Sequence, residues 1–412
     1  MKLRLNMKKV HTSSKNRGSA LVLIIVAMVI LMVTGIGLLA VGYNSRLLAI
    51  KDNAALASHA AADAGVFEAV CELNNKLATK EAAFMAADNN STLPSMTIQT
   101  PLGPDSGNQK YAYRVSDTWP NYTISSTGAS NGVERKISAK TTVSGPFDPA
   151  ILVANQLTMN NNDIVGAAQG TEVTVGTLSS SAGAISAGNG SVINGNVFCP
   201  PDASPESVIS APVGSGFSKF QAEEQMTMAP VFMPAFGTTP LDVTYSANTT
   251  LSNPSYDFNN LTLANNVTLT ISGNVTLRIA KDLSMGNNGG ISVVGANSKL
   301  TIYIGGNIGP GTNSFELTNS TGSAAAVKIY GTKTSLPPQV FNFKNSSTLV
   351  AAIYAPFADV TFMNNPNITG SIICNNLTLK NNMVFTYDDS IRDSYKKTDP
   401  GVHIVVSNWQ EQ

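Results

Sequence analysis

An unbroken apolar run from Ala20 to Val41 constrains this chain most. It carries no charge, and its length matches the roughly 20 helical residues that cross a bilayer core. All charged residues before it are basic, and the first acid in the chain is Asp52. A basic leader stays in the cytoplasm, so the remainder is expected on the far side of the membrane. The alternative is a cleaved signal peptide, but the run is long for one and no composition break follows it.

The helical pattern continues beyond the run without interruption. Apolar residues recur every three or four positions, and the first proline is Pro94. This predicts one helix from about Ser19 to about Leu77, roughly 90 Å long, with a single apolar stripe. The alternative is an ordinary membrane anchor with a stalk. The predicted stripe consists of Leu47, Ile50, Ala54, Ala57, Ala61, Ala64, Phe67, Cys71 and Leu77.

Two segments of this helix carry a family resemblance. RGSALVLIIVAMVILMVTGIGLLAV, followed by AALASHAAADAGVFEAV, resembles the N-terminal region of PilX-type pilus assembly proteins, which are minor pilin-like components of type IV pilus systems. The resemblance covers about Arg17 to Val70. It implies a pilin-type helix and pilin-like subunits as partners. Its second element comprises Ala57, Ala60, Ala61, Ala62, Asp63, Ala64 and Gly65.

The chain departs from the pilin pattern at one position. Type IV pilins are cut after a glycine and carry glutamate at the fifth mature position. The resemblance makes Gly18 and Ser19 the candidate cleavage pair, which places Leu23 where the glutamate would stand. Cleavage and an intact span therefore both stay open.

Two β regions follow the helix. Three alternating stretches, KYAYRVSD, NYTISSTG and VERKISAKTTV, predict a small sheet that packs on the helix in an α+β unit. From Ile151 onward, short apolar runs alternate with Asn- and Gly-rich turns about every 20 residues. This predicts a mainly β, right-handed parallel β-helix with Asn ladders at its turns, and a sandwich or jelly roll is the alternative.

The second half of the chain has a resemblance of its own. Segments such as LTISGNVTLRIAKDLSM, SKLTIYIGGNI and AAIYAPFADVTF resemble an uncharacterised bacterial β-helix domain that often follows PilX-type N-termini. The resemblance runs from Ser252 to Gln412. It implies architecture and setting, and it implies no activity.

Catalytic constellations are absent from the sequence. Asp388 and Asp389, with Asp393 nearby, form the one acidic cluster, and we expect them to cap the last turn. The three histidines are far apart, and no zinc, P-loop or triad spacing occurs. We expect no enzyme, no cofactor and no metal site. Net charge is zero with 13% charged residues, which argues against a nucleic-acid partner.

The cysteines and one linker add smaller expectations. Cys199 and Cys374 end similar motifs, VINGNVFC and NITGSIIC, so a disulfide or two buried thiols would fit. Cys71 is expected to be packed. A Pro- and Met-rich excursion over 200–240 is expected to hold a helical piece near 217–228 that covers an open end, with a plain loop as the alternative.

These observations predict six segments and a structural role. The protein is expected to be a single-pass inner-membrane, pilus-associated component that displays its β-helical head outside for surface interaction or adhesion. The alternatives are a membrane-anchored polysaccharide-binding protein without a filament and a polysaccharide lyase or hydrolase. The predicted segments are a basic leader (1–18), the membrane and stalk helix (19–90), a pilin-like β unit (91–148), first rungs (149–200), an excursion (201–245) and the main β-helix domain (246–412).

Overall fold

The computed structural model describes residues 17–102, 108–167, 172–211, 216–309, 315–344 and 347–411. The first sixteen residues of the basic leader lie outside this description, as do the side chains of residues 17–20 and 97–99. The helices are α1 (Arg17–Ala78), α2 (Ala82–Ala86) and α3 (Pro205–Val208), with 3₁₀ turns at Ala324–Ala326 and Asp389–Ser394. The strands are β1 (Ser95–Pro101), β2 (Lys110–Thr118), β3 (Asn121–Ser130), β4 (Val133–Ser144), β5 (Ile151–Asn161), β6 (Ile164–Ala167), β7 (Val173–Thr177), β8 (Ile185–Ala187), β9 (Val192–Ile193), β10 (Gly195–Cys199), β11 (Ile209–Ser210), β12 (Ser218–Gln221), β13 (Leu241–Tyr245), β14 (Thr249–Leu251), β15 (Ser255–Leu263), β16 (Thr268–Ile279), β17 (Leu283–Met285), β18 (Gly290–Ile304), β19 (Leu317–Asn319), β20 (Val327–Gly331), β21 (Gln339–Phe343), β22 (Thr348–Phe362), β23 (Asn367–Asn381), β24 (Val384–Tyr387) and β25 (His403–Glu411).

Helix α1 is continuous over 62 residues, as its sequence predicts. Its first part, through residue 53, is almost entirely exposed, and it is long and apolar enough to cross a membrane. From Ala54 onward one side is buried against an antiparallel sheet. The helix therefore joins a candidate membrane anchor directly to the core of a folded unit.

The buried side of α1 differs from the predicted stripe. Ala54, Ala61 and Leu77 are buried, but Phe67 and Cys71 are exposed. This Ala-rich segment is apolar on more than one side, so periodicity alone does not select the packed side. The packed side is the one that strand β3 approaches most closely. A Cβ added to Gly128 of this strand would lie 2.0 Å from the Ser58 carbonyl oxygen on the helix. The buried residues are Ala54, Ser58, Ala61, Ala62, Gly65, Val66, Ala69, Leu73 and Leu77.

The antiparallel sheet has the order β1-β2-β3-β4-β25 and contains the three strands that the sequence predicts. Its edge strand comes from the other end of the chain, since His403 of β25 pairs with Ser144 of β4. The sequence-based boundaries include this strand in the β-helix segment 246–412, whereas the structure places it in the antiparallel sheet. Residues 145–402 are thus an insertion between two neighbouring strands, which ties the rest of the molecule to the helix unit at both of its ends.

The remaining twenty strands form one large sheet with parallel pairing. Offsets between paired residues of consecutive turns run from 17, between Asn367 and Val384, to 28, between Leu157 and Ile185. The exceptions are the pairings of β23 with β5 and of β24 with β6, which join residues 220 or 221 positions apart, as between Val384 and Ile164. Alternate side chains point into one apolar core that extends through the whole stack. The large parallel sheet agrees with the sequence-based expectation.

Spatial order in this sheet does not follow chain order. Strand β5 pairs with β23. The segment that directly follows β4 therefore stacks on the part of the parallel sheet that comes latest in the chain. Strands β7, β10 and β12 continue the stack away from β23, whereas β13 lies at its opposite end. The chain must therefore return along the whole stack between Gln221 and Leu241.

The return segment, residues 222–240, contains no helix, so the expectation of a helical cap is wrong. Within the predicted 217–228 helix, Ser218–Gln221 is strand β12, paired with β10. Beyond it the chain is irregular and runs towards Pro230 and Pro234, and prolines bias the preceding residues towards extended backbone. Residues in the segment touch the stack from Tyr354 to Asp257, so it follows a face rather than closing an end.

The cysteine geometry excludes the disulfide that the sequence left open. Cys374 lies beside Val153, Val153 beside Thr177, and the strand carrying Cys199 lies next beyond Thr177. Three spacings of about 4.8 Å separate their Cα atoms by roughly 14 Å, twice the reach of a disulfide. Both are buried free thiols, which is the alternative that the sequence offered.

Candidate functional surfaces

A column of mostly large side chains, five of them aromatic, runs along one outward face of the parallel sheet, and Gly176 in this column lies under the Phe198 ring. We call this the aromatic face. Register places its members side by side on consecutive strands, and Tyr303 stacks on Tyr330 with ring centroids 5.1 Å apart. Several members are fully buried although they point away from the sheet core. The column is Asp257, Arg278, Tyr303, Tyr330, Tyr354, Ile373, Leu152, Gly176, Phe198 and Phe220.

The return segment covers much of this face. The Tyr354 hydroxyl donates to the Ala229 carbonyl at 2.7 Å, and Val231 packs in the same apolar cluster. Further along, the Asp257 carboxylate accepts from the Gly237 amide at 2.8 Å. The same carboxylate pairs with Arg278 at 2.5 Å, and these hydrogen bonds and this ion pair hold its pKa below the usual range against the opposing effect of burial.

The C-terminal segment 388–402, here called the strap, covers the rest. The Tyr395 ring lies over Gly145, where an added Cβ would meet ring carbons at 2.4 Å, and its hydroxyl accepts from the Phe147 amide at 2.8 Å. Burial, with the nearby Asp148 charge, raises the Tyr395 pKa well above its ordinary value. The strap thus fixes the start of the insertion to its end.

Of the acidic cluster predicted to cap the last turn, Asp388 does so, at the start of the 3₁₀ turn Asp389–Ser394. The Asp388 carboxylate accepts from the Ser390 amide at 3.1 Å, and it also accepts from the Ala324 amide at 2.8 Å. Asp389 and Asp393 are exposed beside it. No group of three or more His, Cys, Asp or Glu side chains suited to a metal is found among the described residues.

A polar cavity of about 280 Å³ lies where the strap crosses the sheet. Its sheet side includes Lys299, Tyr303 and Lys328, and its strap side includes Lys396 and Asp399. Burial and the Asp399 charge raise the Tyr303 pKa further above neutral pH, where a tyrosine hydroxyl is protonated in any case and can donate. Sequence reasoning missed this site, because Lys299, Lys328 and Lys396 are single lysines, 29 and 68 residues apart, and give no pattern until the strap brings them together.

A second outward face of the parallel sheet carries polar rather than aromatic side chains, which are half-buried or exposed; we call it the hydroxyl face. Outward side chains in register there are small and polar, and Asn residues at the adjoining turns form ladders. Asn162, Asn365 and Asn382 all have positive φ near 55°. The Asn382 side-chain amide donates to the Asn365 side-chain oxygen at 3.0 Å, and the Asn162 side-chain amide donates to the Asn382 side-chain oxygen at 3.2 Å. The predicted Asn ladders are therefore confirmed. The hydroxyl face comprises Thr244, Thr262, Ser284, Asn342, Thr361, Thr378, Thr158, Ser186 and Ser210.

The helix motif singled out from the sequence lies against the antiparallel sheet. Ala61, Ala62 and Gly65 are buried beneath β3, and Asp63 pairs with His59 at 3.0 Å. Ala64 is half-buried. The small residues thus serve close packing rather than a ligand site. The candidate cleavage pair, Gly18 and Ser19, falls in the first turn of α1.

Part of the chain is similar to a known domain family. A family model described as a domain of unknown function (DUF7305) matches residues 222–394, from the return segment into the strap. No curated protein matches the chain. The competence-associated pilin ComZ from Thermus thermophilus is similar at 11% identity and a TM-score of 0.24, over 87% of this chain and 98% of that one. The ice-binding protein_1 DUF3494 domain from Shewanella frigidimarina is similar at 14% identity and a TM-score of 0.27, over 59% of this chain and 95% of that one.

Proposed function

We propose that this protein is a structural, non-enzymatic component of a type IV pilus or related system, similar to PilX-type minor pilins. One observation carries the proposal. Helix α1 passes without a break from an exposed apolar span into the core of an antiparallel sheet. An ordinary anchor with a flexible stalk would not need its helix to be the packing partner of a sheet. A subunit held in a membrane and then lifted into an assembly would need a rigid joint of this kind.

The inserted region is the displayed part in this proposal. Parallel pairing of consecutive turns at offsets of 17 to 28 residues, one continuous apolar core and Asn ladders at the turns support a right-handed parallel β-helix. Its hydroxyl face is open, whereas its aromatic face is covered by the chain itself. The head would therefore meet its surroundings through hydroxyl and amide groups.

The proposed setting is the inner membrane, with the N-terminus in the cytoplasm and the head in the periplasm or at the cell surface. Six basic residues before the span support this orientation. Pilin-like subunits would be partners along the membrane, and Gly18 would be the prepilin-type cleavage site.

N-terminal sequencing of the protein purified from its native membrane tests the proposal. A start at Ser19, particularly an N-methylated one, is the expected result. Gly18→Ala should leave the uncut chain in the membrane and out of any sheared surface fraction, with Gly35→Ala as the matched control. A wild-type chain that keeps Met1 and never leaves the membrane fraction would contradict filament entry.

A membrane-anchored polysaccharide-binding protein without a filament is the second candidate. The exposed hydroxyl face and the cationic cavity favour it, since both suit polar ligands. The absence of turnover is itself a proposal here, supported by the capping role of Asp388. A screen against acidic polysaccharides that found turnover lost in the Asp388→Ala and Asp389→Ala variants would overturn it.

A further inference from the structure

The cavity between the strap and the parallel sheet combines three lysines with one acid. Lys328 and Asp399 form an ion pair at 2.7 Å, and their side chains are only 9% and 10% exposed. The Asp399 carboxylate also accepts from the Lys396 amide at 3.0 Å and from the Tyr330 hydroxyl at 3.4 Å. The one carboxylate of the site is therefore fully engaged with protein donors.

Two ammonium groups are left over in this cavity. Lys299 and Lys396 line it from opposite sides, and neither ammonium has an acidic partner among the described residues. The local balance is three positive charges against one negative charge, in a chain whose net charge is zero. A buried ion pair at the base fixes part of the site, and the two exposed ammoniums give it an attraction for anions.

The rest of the lining suits the hydroxyl groups of a sugar. Thr276 and Thr301 stand side by side with Lys328 on consecutive strands. The Tyr303 hydroxyl lines the cavity, has no hydrogen-bond partner among the described residues, and can donate to a ligand oxygen. A cavity of about 280 Å³ is larger than a lone inorganic anion requires and approaches the lower end of small-ligand sites.

We propose that this cavity binds a carboxylate-bearing sugar residue of an acidic polysaccharide. Lys299 and Lys396 would hold the carboxylate by charge-assisted hydrogen bonds, and the threonine and tyrosine hydroxyls would bind the ring hydroxyls. The inference deepens the proposed role in surface interaction and rests on it for the setting alone. Binding at this site does not require cleavage at Gly18 or entry into a filament.

Calorimetric titration of the full chain in detergent micelles tests it, with tetragalacturonate as the probe. A neutral galactose tetrasaccharide and inorganic phosphate serve as separate arms. We expect saturable binding of tetragalacturonate that weakens with salt, no binding of the neutral sugar, and weaker binding of phosphate. Removal of both charges, in Lys299→Gln with Lys396→Gln, should reduce affinity about tenfold.

The controls separate a site from general charge. Lys136→Gln removes an exposed lysine from the antiparallel sheet and should leave affinity unchanged. Tyr303→Phe removes only the hydroxyl and should weaken tetragalacturonate binding while sparing phosphate. Equal binding of the neutral sugar, binding of phosphate alone, or unchanged affinity in the double variant would each overturn the inference. Failure of N-terminal processing would leave it standing.

Discussion

Asp163 is a carboxylate with no exposed surface at the corner between β5 and β6. Its Oδ1 accepts from the Met383 amide at 2.9 Å, whereas its Oδ2 has no partner among the described residues. Burial raises its pKa, and backbone hydrogen bonds oppose part of that rise. A carboxyl group that is easier to protonate when folded stabilises the protein most below its unfolded pKa of about 3.9 and loses that stabilisation as pH rises through the folded value.

Asp163→Asn should remove this pH dependence. The Asn side chain keeps an acceptor for the Met383 amide and carries no charge to bury. We expect the variant to match the wild type near pH 3 and to be more stable at pH 7, in urea titrations followed by circular dichroism. The exposed Asp202→Asn serves as control and should show no such difference. A stability difference that is constant with pH would contradict the assignment.

At the scale of the element, Asn74 on α1 joins the helix to the last strand. Its side-chain amide donates to the Ile404 carbonyl at 3.0 Å and its Oδ1 accepts from the Ile404 amide at 2.7 Å. Asn74→Ala would leave two backbone groups of β25 without partners, at a cost of about 2 kcal/mol. Limited proteolysis should then release the C-terminal strand earlier than in the wild type. Asn75→Ala, on the exposed side of the same helix, should behave as wild type.

The same pair shows where sequence reasoning stops. The helix, the three neighbouring strands and the Asn-rich turns follow from local patterns, because side-chain periodicity and αL tolerance act within a few residues. The pairing of β4 with β25 joins residues about 260 positions apart, and nothing near either strand encodes it. The lysine cavity is hidden for the same reason. Phe67 is predicted in the buried stripe, whereas it is exposed at the edge of the packed side with its ring against Trp409 of β25, because an Ala-rich helix leaves that choice to the partner surface.

At the scale of the whole molecule, the strap contacts the helix unit through a buried ion pair and through a hydrogen bond from Trp119 Nε1 to the Tyr395 carbonyl at 3.1 Å. The Lys397 ammonium lies 2.5 Å from Asp88, donates to the Phe84 carbonyl at 2.7 Å and sits 4.0 Å from the centre of the Phe84 ring. Asp88 also accepts from the Trp119 amide at 2.9 Å and the Tyr122 hydroxyl at 3.0 Å. The side chains of the pair are 10% and 8% exposed, so one partner cannot be lost without leaving a buried charge.

Lys397→Met should therefore destabilise the joint by about 3–5 kcal/mol, because Asp88 would stay buried without its counter-ion. In calorimetry, we expect the single unfolding transition of the wild type to separate into two, with the α1–antiparallel unit and the parallel sheet melting independently. Adding Asp88→Asn should recover much of the loss, since the Asn oxygen can accept from the Trp119 amide and the Asn nitrogen can donate to the Tyr122 hydroxyl, without a charge. Lys396→Met, one residue earlier and exposed, should leave the transition single. Two transitions already present in the wild type would show that the α1–antiparallel unit and the parallel sheet are not coupled through the strap.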